Sequence, residues 1–556
     1  MESLLKAILS NGFTIIKLWE MKVYYVLEKM ITPGTPCRLQ WQNSPGFVLS
    51  SGAGGCYTFP MKRNGFDNDK YVRMQSEKIR ERIAQFGDKL YLEFGGKLFD
   101  DFHAARVLPG FLPDSKINML QTLRDDAEIV LAIHAGDIER NKVRDDLDIA
   151  YDAEVLRLID AFRAKGLLVT GVVITRYGGQ AAADAFAERL VRLGVRVYRH
   201  YPIAGYPANV PLIVSDEGFG KNDYIETQRP LVVVTAPGPG SGKLAVCLSQ
   251  LYHESRRGVK AGYAKFETFP VWNLPLQHPV NLAYEAATTD LDDVNMIDPF
   301  HLEAYGVTTV NYNRDVESFP VLSAIFERIS GASPYRSPTD MGVNMAGYCI
   351  YDDEAVCAAA RQEIIRRYYA ALCGCKRGLL PPDQEIRSEY IMNRCGASPA
   401  DRPVVGRALE RAEETGGPAF AIELPDGQIV TGRTTELLGA SAAALLNALK
   451  VLGGIHDAID LISPIVIEPI QRLKTRHLGS QNPRLHSDEI LIALSICAAT
   501  NPTAAHAMNQ LDRLRGTEAH SSVILSRVDS AMFRRLGVNF TCEPQYEAKD
   551  LLYHKL

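Results

Sequence analysis

Short apolar runs alternate with amphipathic helical stretches along residues 67–250 of this chain. The predicted strands lie at 89–94, 127–134, 167–174, 196–199, 211–214 and 231–235, and the predicted helices at 69–86, 153–165 and 182–193. Strands without polar alternation are buried on both faces, and helical crossovers between strands require them to run parallel. The pattern therefore predicts an α/β fold built on a largely parallel, Rossmann-like sheet.

Three predicted strands end in a glycine turn that also carries a cation. The carboxyl ends of parallel strands share one edge of the sheet, where ligands collect. Backbone N–H groups and a helix N-terminus at such an edge can hold phosphate. The predicted anion-binding residues are Gly95, Gly96, Lys97, Arg176, Gly178, Gly179, Gly238, Gly240, Ser241, Gly242 and Lys243.

The turn after 231–235 is similar to a phosphate-binding loop, in which a glycine and four residues precede Gly-Lys-Ser/Thr. Here Pro237 occupies the first glycine position, and Leu244 replaces the hydroxyl residue that normally ligates magnesium. We expect a variant phosphate cradle rather than a standard metal–nucleotide site. The alternative, a tight turn that only connects a strand to a helix, stays open.

Acidic residues near these strands are candidates for catalysis and metal binding. Asp216 and Glu217 follow the predicted strand 211–214, where a carboxylate could ligate a metal or activate water. A solvated acidic pair is the alternative interpretation. A second cluster suits Mg²⁺ or ribose hydroxyls, or is simply a solvated loop; its members are Asp290, Asp292, Asp293, Asn295, Asp298, His301 and Glu303, with Asn311, Asn313, Arg314 and Asp315 close behind. We select Asp292 and Asp298 as the metal candidates.

The remaining segments predict a division into four parts. Residues 1–60 differ in composition from the rest, and we expect an extension that is upstream translation or poorly ordered, with Met61 as the natural start. Residues 61–320 form the α/β domain, in which 262–312 resembles a long loop. Residues 321–398 are mostly helical, and 399–556 form a smaller α+β domain that begins with a hairpin at 420–431.

Composition excludes several classes of protein. The chain has 61 Lys and Arg against 66 Asp and Glu, for a net charge of −5, and no basic domain. This argues against nucleic acid as a partner, because phosphate-backbone binding needs clustered cations. The apolar runs fall well short of the roughly 18 residues that suggest a membrane span. Ten scattered cysteines without a paired Cys-x-x-Cys set indicate reduced thiols in a cytoplasmic protein.

Four segments together resemble one bacterial family. They are Gly65-Phe-Asp-Asn-Asp-Lys70, the stretch 89–101, Ala236-Pro-Gly-Pro-Gly-Ser-Gly-Lys243 and Asp340-Met-Gly-Val-Asn344. The family is known as domain of unknown function 1846, or uncharacterised protein family 0371, and the resemblance covers about 61–556. It implies an α/β domain, a helical domain and a smaller α/β domain, and it implies no particular reaction.

Together these features predict an enzyme that binds a nucleotide or another phosphorylated small molecule. Phosphoryl or nucleotidyl transfer, or hydrolysis, is the reaction class we expect, with Mg²⁺ and a nucleotide as candidate cofactors and a homo-oligomer as the assembly. A non-catalytic nucleotide or metabolite sensor is the alternative. A dinucleotide-dependent oxidoreductase is less favoured, because no Gly-x-Gly-x-x-Gly follows the first strand.

Overall fold

The computed structural model describes residues 63–87, 89–144 and 149–547, together with the backbone of three short strands before them. Those strands are Cys37–Trp41, Gly46–Ser51 and Cys56–Pro60, and they pair antiparallel in chain order. The expectations for the rest of residues 1–60 lie outside the described residues.

A seven-stranded sheet, parallel throughout, organises the larger part of the chain. Its strands in chain order are β1 Leu90–Phe94, β2 Ala127–His134, β3 Leu168–Thr175, β4 Val197–Arg199, β5 Leu231–Thr235, β6 Gly262–Phe266 and β7 Gly342–Val343. In space they lie in the order β7-β6-β1-β5-β2-β3-β4. The predicted α/β fold is confirmed.

The strand order places β5 at the centre of the sheet. The chain runs from β2 outward to β4, then returns to insert β5 between β1 and β2 before continuing to β6. Because all strands are parallel, the turns that follow β1, β3 and β5 lie at the same carboxyl edge. In doubly wound sheets, ligands bind at the point where the strand order reverses, and here that point is β5.

Helices cover both faces of this sheet. In the whole described part of the chain, including the C-terminal part, the helices of eight or more residues are α1 Asn68–Gln85, α2 Ser115–Thr122, α3 Tyr151–Ala164, α4 Ala181–Arg192, α5 Lys243–Arg256, α6 Pro279–Ala287, α7 Asn313–Ser330, α8 Asp353–Lys376, α9 Asp383–Arg394, α10 Pro403–Thr415, α11 Ala440–Leu452, α12 Pro464–Arg476, α13 Ser487–Ala498 and α14 Arg527–Arg535. No helix among the described residues is both long and apolar enough to cross a bilayer.

Alternate residues of each strand enter different cores. Leu90 and Leu92 join a cluster that includes α1, α3 and α8, whereas Tyr91 lies in a second cluster with α5 and α7. The first cluster joins residues from Phe66, near the start of the chain's large sheet region, to Val405 in α10. The helices α8 and α9 are therefore packed into the core of the sheet, and the boundaries at 320 and 398 stay a prediction.

Two local expectations from the sequence were wrong. Residues 210–213 form a short helix rather than a strand, because the Asn209 side chain caps it by accepting from the Leu212 N–H and Pro211 occupies its first turn. Proline fits that position, where its missing N–H would have had no helical partner. Residues 262–312 are not one long loop either. They contain β6, α6, a helix at Pro299–Tyr305 and a strand pair at Asn295–Ile297 and Val310–Tyr312.

The C-terminal part contains a smaller sheet of four strands. They are β8 Ala419–Glu423, β9 Ile429–Arg433, β10 Glu518–Ser521 and β11 Asn539–Cys542, in the spatial order β9-β8-β10-β11. The strands β8 and β9 are neighbours, as expected for the predicted hairpin. The strands β10 and β11 run parallel.

Two buried histidines anchor the loop that follows β4, and they predict a pH dependence of stability. His200 Nε2 donates to the Asp223 carbonyl at 3.2 Å, and His253 Nε2 donates to the Asn222 carbonyl at 2.9 Å. Burial lowers the pKa of His200 from 6.5 to about 4. Between these values the unfolded chain binds a proton that the folded chain does not. The contribution of His200 to the free energy of unfolding is therefore fully present above pH 6.5. It falls by about 2 kcal/mol as the pH drops to 4.5.

Urea unfolding at both pH values measures this loss. In His200→Gln, which keeps a side-chain donor but does not titrate, the loss should shrink by about the same 2 kcal/mol. The exposed His456→Gln is the control and should follow the wild type. An unchanged pH dependence in His200→Gln would show that other groups cause the loss.

Candidate functional site

The loop between β5 and α5 presents backbone donors that have no protein acceptor. Gly240 and Gly242 have φ angles of +76° and +87°, a conformation that favours glycine. Within the described residues, the N–H groups of 240–245 donate to no protein group, and no side chain caps α5. Amides in such a turn, followed by the positive end of a helix, form a site for an anion.

Contacts with neighbouring elements hold this loop in place. Thr175 Oγ1, at the end of β3, donates to the Ser241 carbonyl at 2.8 Å, and Ser241 Oγ donates to the Gly238 carbonyl at 2.9 Å. A Cβ atom at Gly238 would lie 2.1 Å from the Tyr151 hydroxyl oxygen, and one at Gly242 would lie 3.1 Å from Thr175. The glycines are therefore required for packing, and the amides are oriented before any ligand arrives.

Lys243, the first residue of α5, has no ion pair or hydrogen bond within the described residues. Burial lowers its pKa, and the charges of Lys265 and Arg314 lower it further, whereas Glu93 raises it. Three cations thus lie near one another at the carboxyl edge, although only Lys243 was predicted as part of the site. A cation without a counter-ion beside free amides favours a negatively charged ligand.

Lys265, in contrast, is fully engaged by acidic and phenolic neighbours. Its Nζ lies 3.0 Å from Glu267 Oε1 and also contacts Asp315 and the Tyr312 hydroxyl. Burial opposes its charge, but Asp315, Glu267 and Glu93 raise the pKa of Lys265 above its ordinary value. Burial also raises the pKa of Glu267, and Asp315 raises it further, although Lys265 acts against both.

A second helix begins at the same place. α7 starts at Asn313, so Arg314 and Asp315 belong to its first turn, and its N-cap residue provides no side-chain cap. α5 and α7 pack on the same face of the sheet, where their buried residues share a cluster with Tyr263 of β6. Asp315 meets Lys265 near the end of β6, so both helix N-termini lie at the carboxyl edge.

The turns after β1 and β3 lie at this edge too, and their ligand-binding role stays a prediction. Gly96 has a φ of +73° and packs against the Lys116 ammonium, whereas Lys97 beside it is exposed. Arg176 is exposed in the left-handed conformation and has no ion pair among the described residues. The Gly178 N–H donates to Gln180 at 2.9 Å, which leaves that amide less available for a ligand.

Asp216 and Glu217 lie away from the glycine loop. Asp216 accepts from the Tyr252 hydroxyl at 2.6 Å and pairs with Arg256. Tyr252 is nine residues beyond Lys243 in α5, a rise of about 13 Å along the helix. Glu217 is exposed and pairs with Lys221 at 2.5 Å. The predicted strand 211–214, which would have brought these acids to the sheet edge, is replaced by the helix Val210–Ile213. The structure therefore does not support a joint site of these acids and the glycine loop.

The predicted metal ligands Asp292 and Asp298 are not brought together either. Asp298 is fully buried and caps the helix Pro299–Tyr305, accepting from the His301 N–H at 3.0 Å. Its other oxygen accepts from the Thr339 hydroxyl at 2.6 Å. Asp292 is exposed and pairs with Arg387. Asp298 thus has a structural role, and Asp292 faces solvent.

One other group has the composition of a metal site. Among the described residues, only His278, Asp353 and Cys357 place three such ligand atoms within 4.8 Å. However, His278 Nδ1 accepts from the Val280 N–H, so Nε2 carries the proton that it donates to Asp353 at 3.0 Å. A metal bound here would need a lone pair on Nε2, which instead carries a proton. A metal-bound histidine also normally donates a hydrogen bond from its other ring N–H, whereas Nδ1 here accepts one. Burial and Asp353 also raise the pKa of Cys357 to about 11. The trio is better explained as a helix cap.

Four residues of this neighbourhood were not predicted from the sequence: Glu93, Lys265, Glu267 and Tyr312. Glu93 and Lys265 are cross-strand partners in β1 and β6. A carboxylate and an ammonium inside otherwise apolar strands were the available signal. Their meeting could not be read from the sequence, because 171 residues separate Glu93 from Lys265.

Comparison with known proteins gives the family context of this site. The model "Domain of unknown function DUF1846, N-terminal" matches residues 64–396, and its C-terminal counterpart matches 400–553. A "UPF0371 protein" of Streptococcus thermophilus (strain ATCC BAA-491 / LMD-9) is 60% identical over 495 residues, which are 89% of this chain and all of the relative. One of Streptococcus pneumoniae (strain JJA) is 59% identical over the same lengths. The matched region includes the glycine loop and the C-terminal sheet.

Proposed function

Because the chain belongs to the DUF1846 family, whose description specifies no ligand, we propose from the site's geometry that it binds a phosphorylated small molecule at the 237–243 loop. A nucleotide-dependent transferase or hydrolase is the first form of this proposal. The phosphate would accept from the loop amides and pair with Lys243, while the positive end of α5 adds to the attraction.

One observation carries the proposal: the unpartnered amides of 240–245 and the unpaired Lys243 occur together. Buried or half-buried donors are normally satisfied, so a group of them at a sheet edge needs an acceptor. Arg314 is half-exposed at the same edge, where it pairs with Asp293 and lies over the Tyr312 ring, so it adds positive charge beside the loop.

The donor set at the loop does not fit a magnesium ion held in the usual way. Leu244 has no hydroxyl group to ligate the metal, and Asp216 contacts Tyr252, which is about 13 Å further along α5 than Lys243. Asp315, Glu267 and Glu93 are the carboxylates that act on Lys265, and Glu93 also acts on Lys243; they hold these cations rather than a metal ion. This favours a second form of the proposal, in which the chain senses a nucleotide or metabolite without turning it over.

Lys243→Met should abolish most of the binding. At 100 times its dissociation constant, pyrophosphate, ATP or GTP is expected to add about 2.7 kcal/mol to the stability of the wild type. Losing a charge-assisted contact should weaken binding at least tenfold, since such contacts contribute about 1.5–3 kcal/mol. Thermal unfolding with and without each compound, compared within each variant, provides the measurement.

Lys260→Met is the matched control, because Lys260 is exposed and precedes β6 at the opposite edge of the sheet. It should bind as the wild type does. ATP or GTP hydrolysis that disappears in Lys243→Met would support the enzyme, and binding without turnover would support the sensor. If no phosphate compound stabilises the wild type, or if both variants respond alike, the proposal is wrong.

A further inference from the structure

Asp293 has a buried carboxylate oxygen without a partner. The residue is only 3% exposed, and its Oδ2 pairs with Arg314 at 3.0 Å. No group in the described part of the chain donates to Oδ1. A buried acceptor is normally satisfied, so an oxygen left without a donor calls for an explanation.

Asp293 faces the same site as the glycine loop. Asp293 pairs with Arg314, whose guanidinium group lies over the Tyr312 ring, 5.4 Å from its centre. The hydroxyl of Tyr312 contacts Lys265, which lies near the end of β6 at the same carboxyl edge as Lys243. A small molecule that holds its phosphate at Lys243 is therefore within reach of Asp293.

The surroundings of Oδ1 select a neutral donor over a cation. Arg314 pairs with this carboxylate, and Lys265 adds a second positive charge nearby. An ammonium group or a metal ion entering here would be repelled by both. The ring centres of Tyr284 and Tyr312 are 6.3 Å apart. Burial raises the pKa of Tyr284, and the negative charge of Asp293 raises it further. A packed aromatic pair beside a carboxylate suits an uncharged ring that carries hydroxyl groups.

Resting on the proposed function, we infer that the ligand is a phosphorylated polyol, either a sugar phosphate or the ribose phosphate of a nucleotide, and that Asp293 Oδ1 accepts a hydrogen bond from one of its hydroxyl groups. The phosphate and the hydroxyl group then bind to different parts of the carboxyl edge. The glycine loop and Lys243 bind the charged phosphate. Asp293 binds the hydroxyl group and so distinguishes the ligand from bare phosphate.

Isothermal titration calorimetry on the full chain can test this inference with matched ligands. The hydroxylated set is ribose 5-phosphate, AMP and glucose 6-phosphate; the deoxy set is 2-deoxyribose 5-phosphate, dAMP and 2-deoxyglucose 6-phosphate; pyrophosphate is the bare anion. At least one hydroxylated compound should bind at least tenfold more tightly than its deoxy counterpart, because a site built around a hydroxyl strongly rejects an analogue that lacks it. Ribose 5-phosphate and AMP separate a free sugar phosphate from a nucleotide.

Asp293→Asn should reduce that discrimination to less than threefold and leave the affinity for pyrophosphate within twofold. Asp290→Asn, which changes an exposed carboxylate of the same segment, is the control and should retain the full discrimination. Thermal unfolding shows whether either variant is folded, and Asp293→Ser is a smaller replacement if Asn disturbs the segment.

The two proposals fail in different ways. If pyrophosphate binds and depends on Lys243, but hydroxylated and deoxy ligands bind equally, the inference about Asp293 is overturned and the phosphate site stands. The same holds if Asp293→Asn keeps the wild-type discrimination. If no compound binds to the wild type, the phosphate site and the inference both fall.

Discussion

Glu363→Gln is expected to lower the free energy of unfolding by about 3–5 kcal/mol, the cost of breaking a buried ion pair on one side. Glu363 in α8 is 1% exposed and accepts from Arg106, Arg366 and Arg367 at 2.8–3.1 Å. Burial alone would raise its pKa, but these three guanidinium groups hold the pKa of Glu363 well below its usual range. The substitution would leave three arginines facing one neutral amide.

Equilibrium urea unfolding followed by circular dichroism measures this loss. The control is Glu410→Gln in α10, where an exposed carboxylate pairs with Arg407 one turn away. Because solvent screens surface pairs, that change should cost less than about 1 kcal/mol. Equal effects in the two variants would show that burial adds nothing to the Glu363 interactions.

Arg402→Met is expected to cost a similar 3–5 kcal/mol for the same reason. Arg402 immediately precedes α10, is 1% exposed and pairs with Glu518 of β10 at 2.6 Å. It also donates to the carbonyls of Ala519 and Asn539, on the parallel strands β10 and β11. Methionine fills part of the volume but leaves both carbonyls and the carboxylate with fewer donors.

Hydrogen exchange can locate the effect of Arg402→Met, because amides of β10 and β11 should lose protection before those of the large sheet. Arg407→Met, in an exposed pair on α10, should leave both sheets unchanged. Arg366 contacts both Glu363 and Glu518, at 2.8 and 2.9 Å. Combining Glu363→Gln with Arg402→Met should therefore give a coupling energy of about 0.5–3 kcal/mol. Strict additivity would mean that Glu363 and Arg402 are energetically independent.

This chain of alternating charges joins the two segments that the family models treat separately. Arg106 belongs to a short helix after β1, Glu363 and Arg366 to α8, and Arg402 to the chain just before α10. The sequence showed none of these pairs, since they connect positions up to 257 residues apart. The break near residue 400 was visible as a proline-containing linker, but the buried network that crosses it was not.

The local patterns of the sequence were sufficient for five of the seven strands of the parallel sheet and for the glycine loop. Apolar runs of five to eight residues and glycines with positive φ depend on neighbours along the chain, so they could be read directly. The run at 211–214 was too short for its period to separate strand from helix. There the Asn209 cap decided the outcome.

The chemistry of the site, in contrast, was decided by tertiary structure. Asp298 and Asp293 belong to one acidic segment, yet Asp298 is satisfied by Thr339 of a distant helix and Asp293 keeps an oxygen without a donor. Lys243 was predicted from its loop, whereas its neighbours Glu93 and Lys265 meet only because β1 and β6 are paired. The sequence by itself determined where backbone amides and apolar strands occur. Which side chains become buried, paired or left open depends on contacts between distant segments, and only the folded chain brings those segments together.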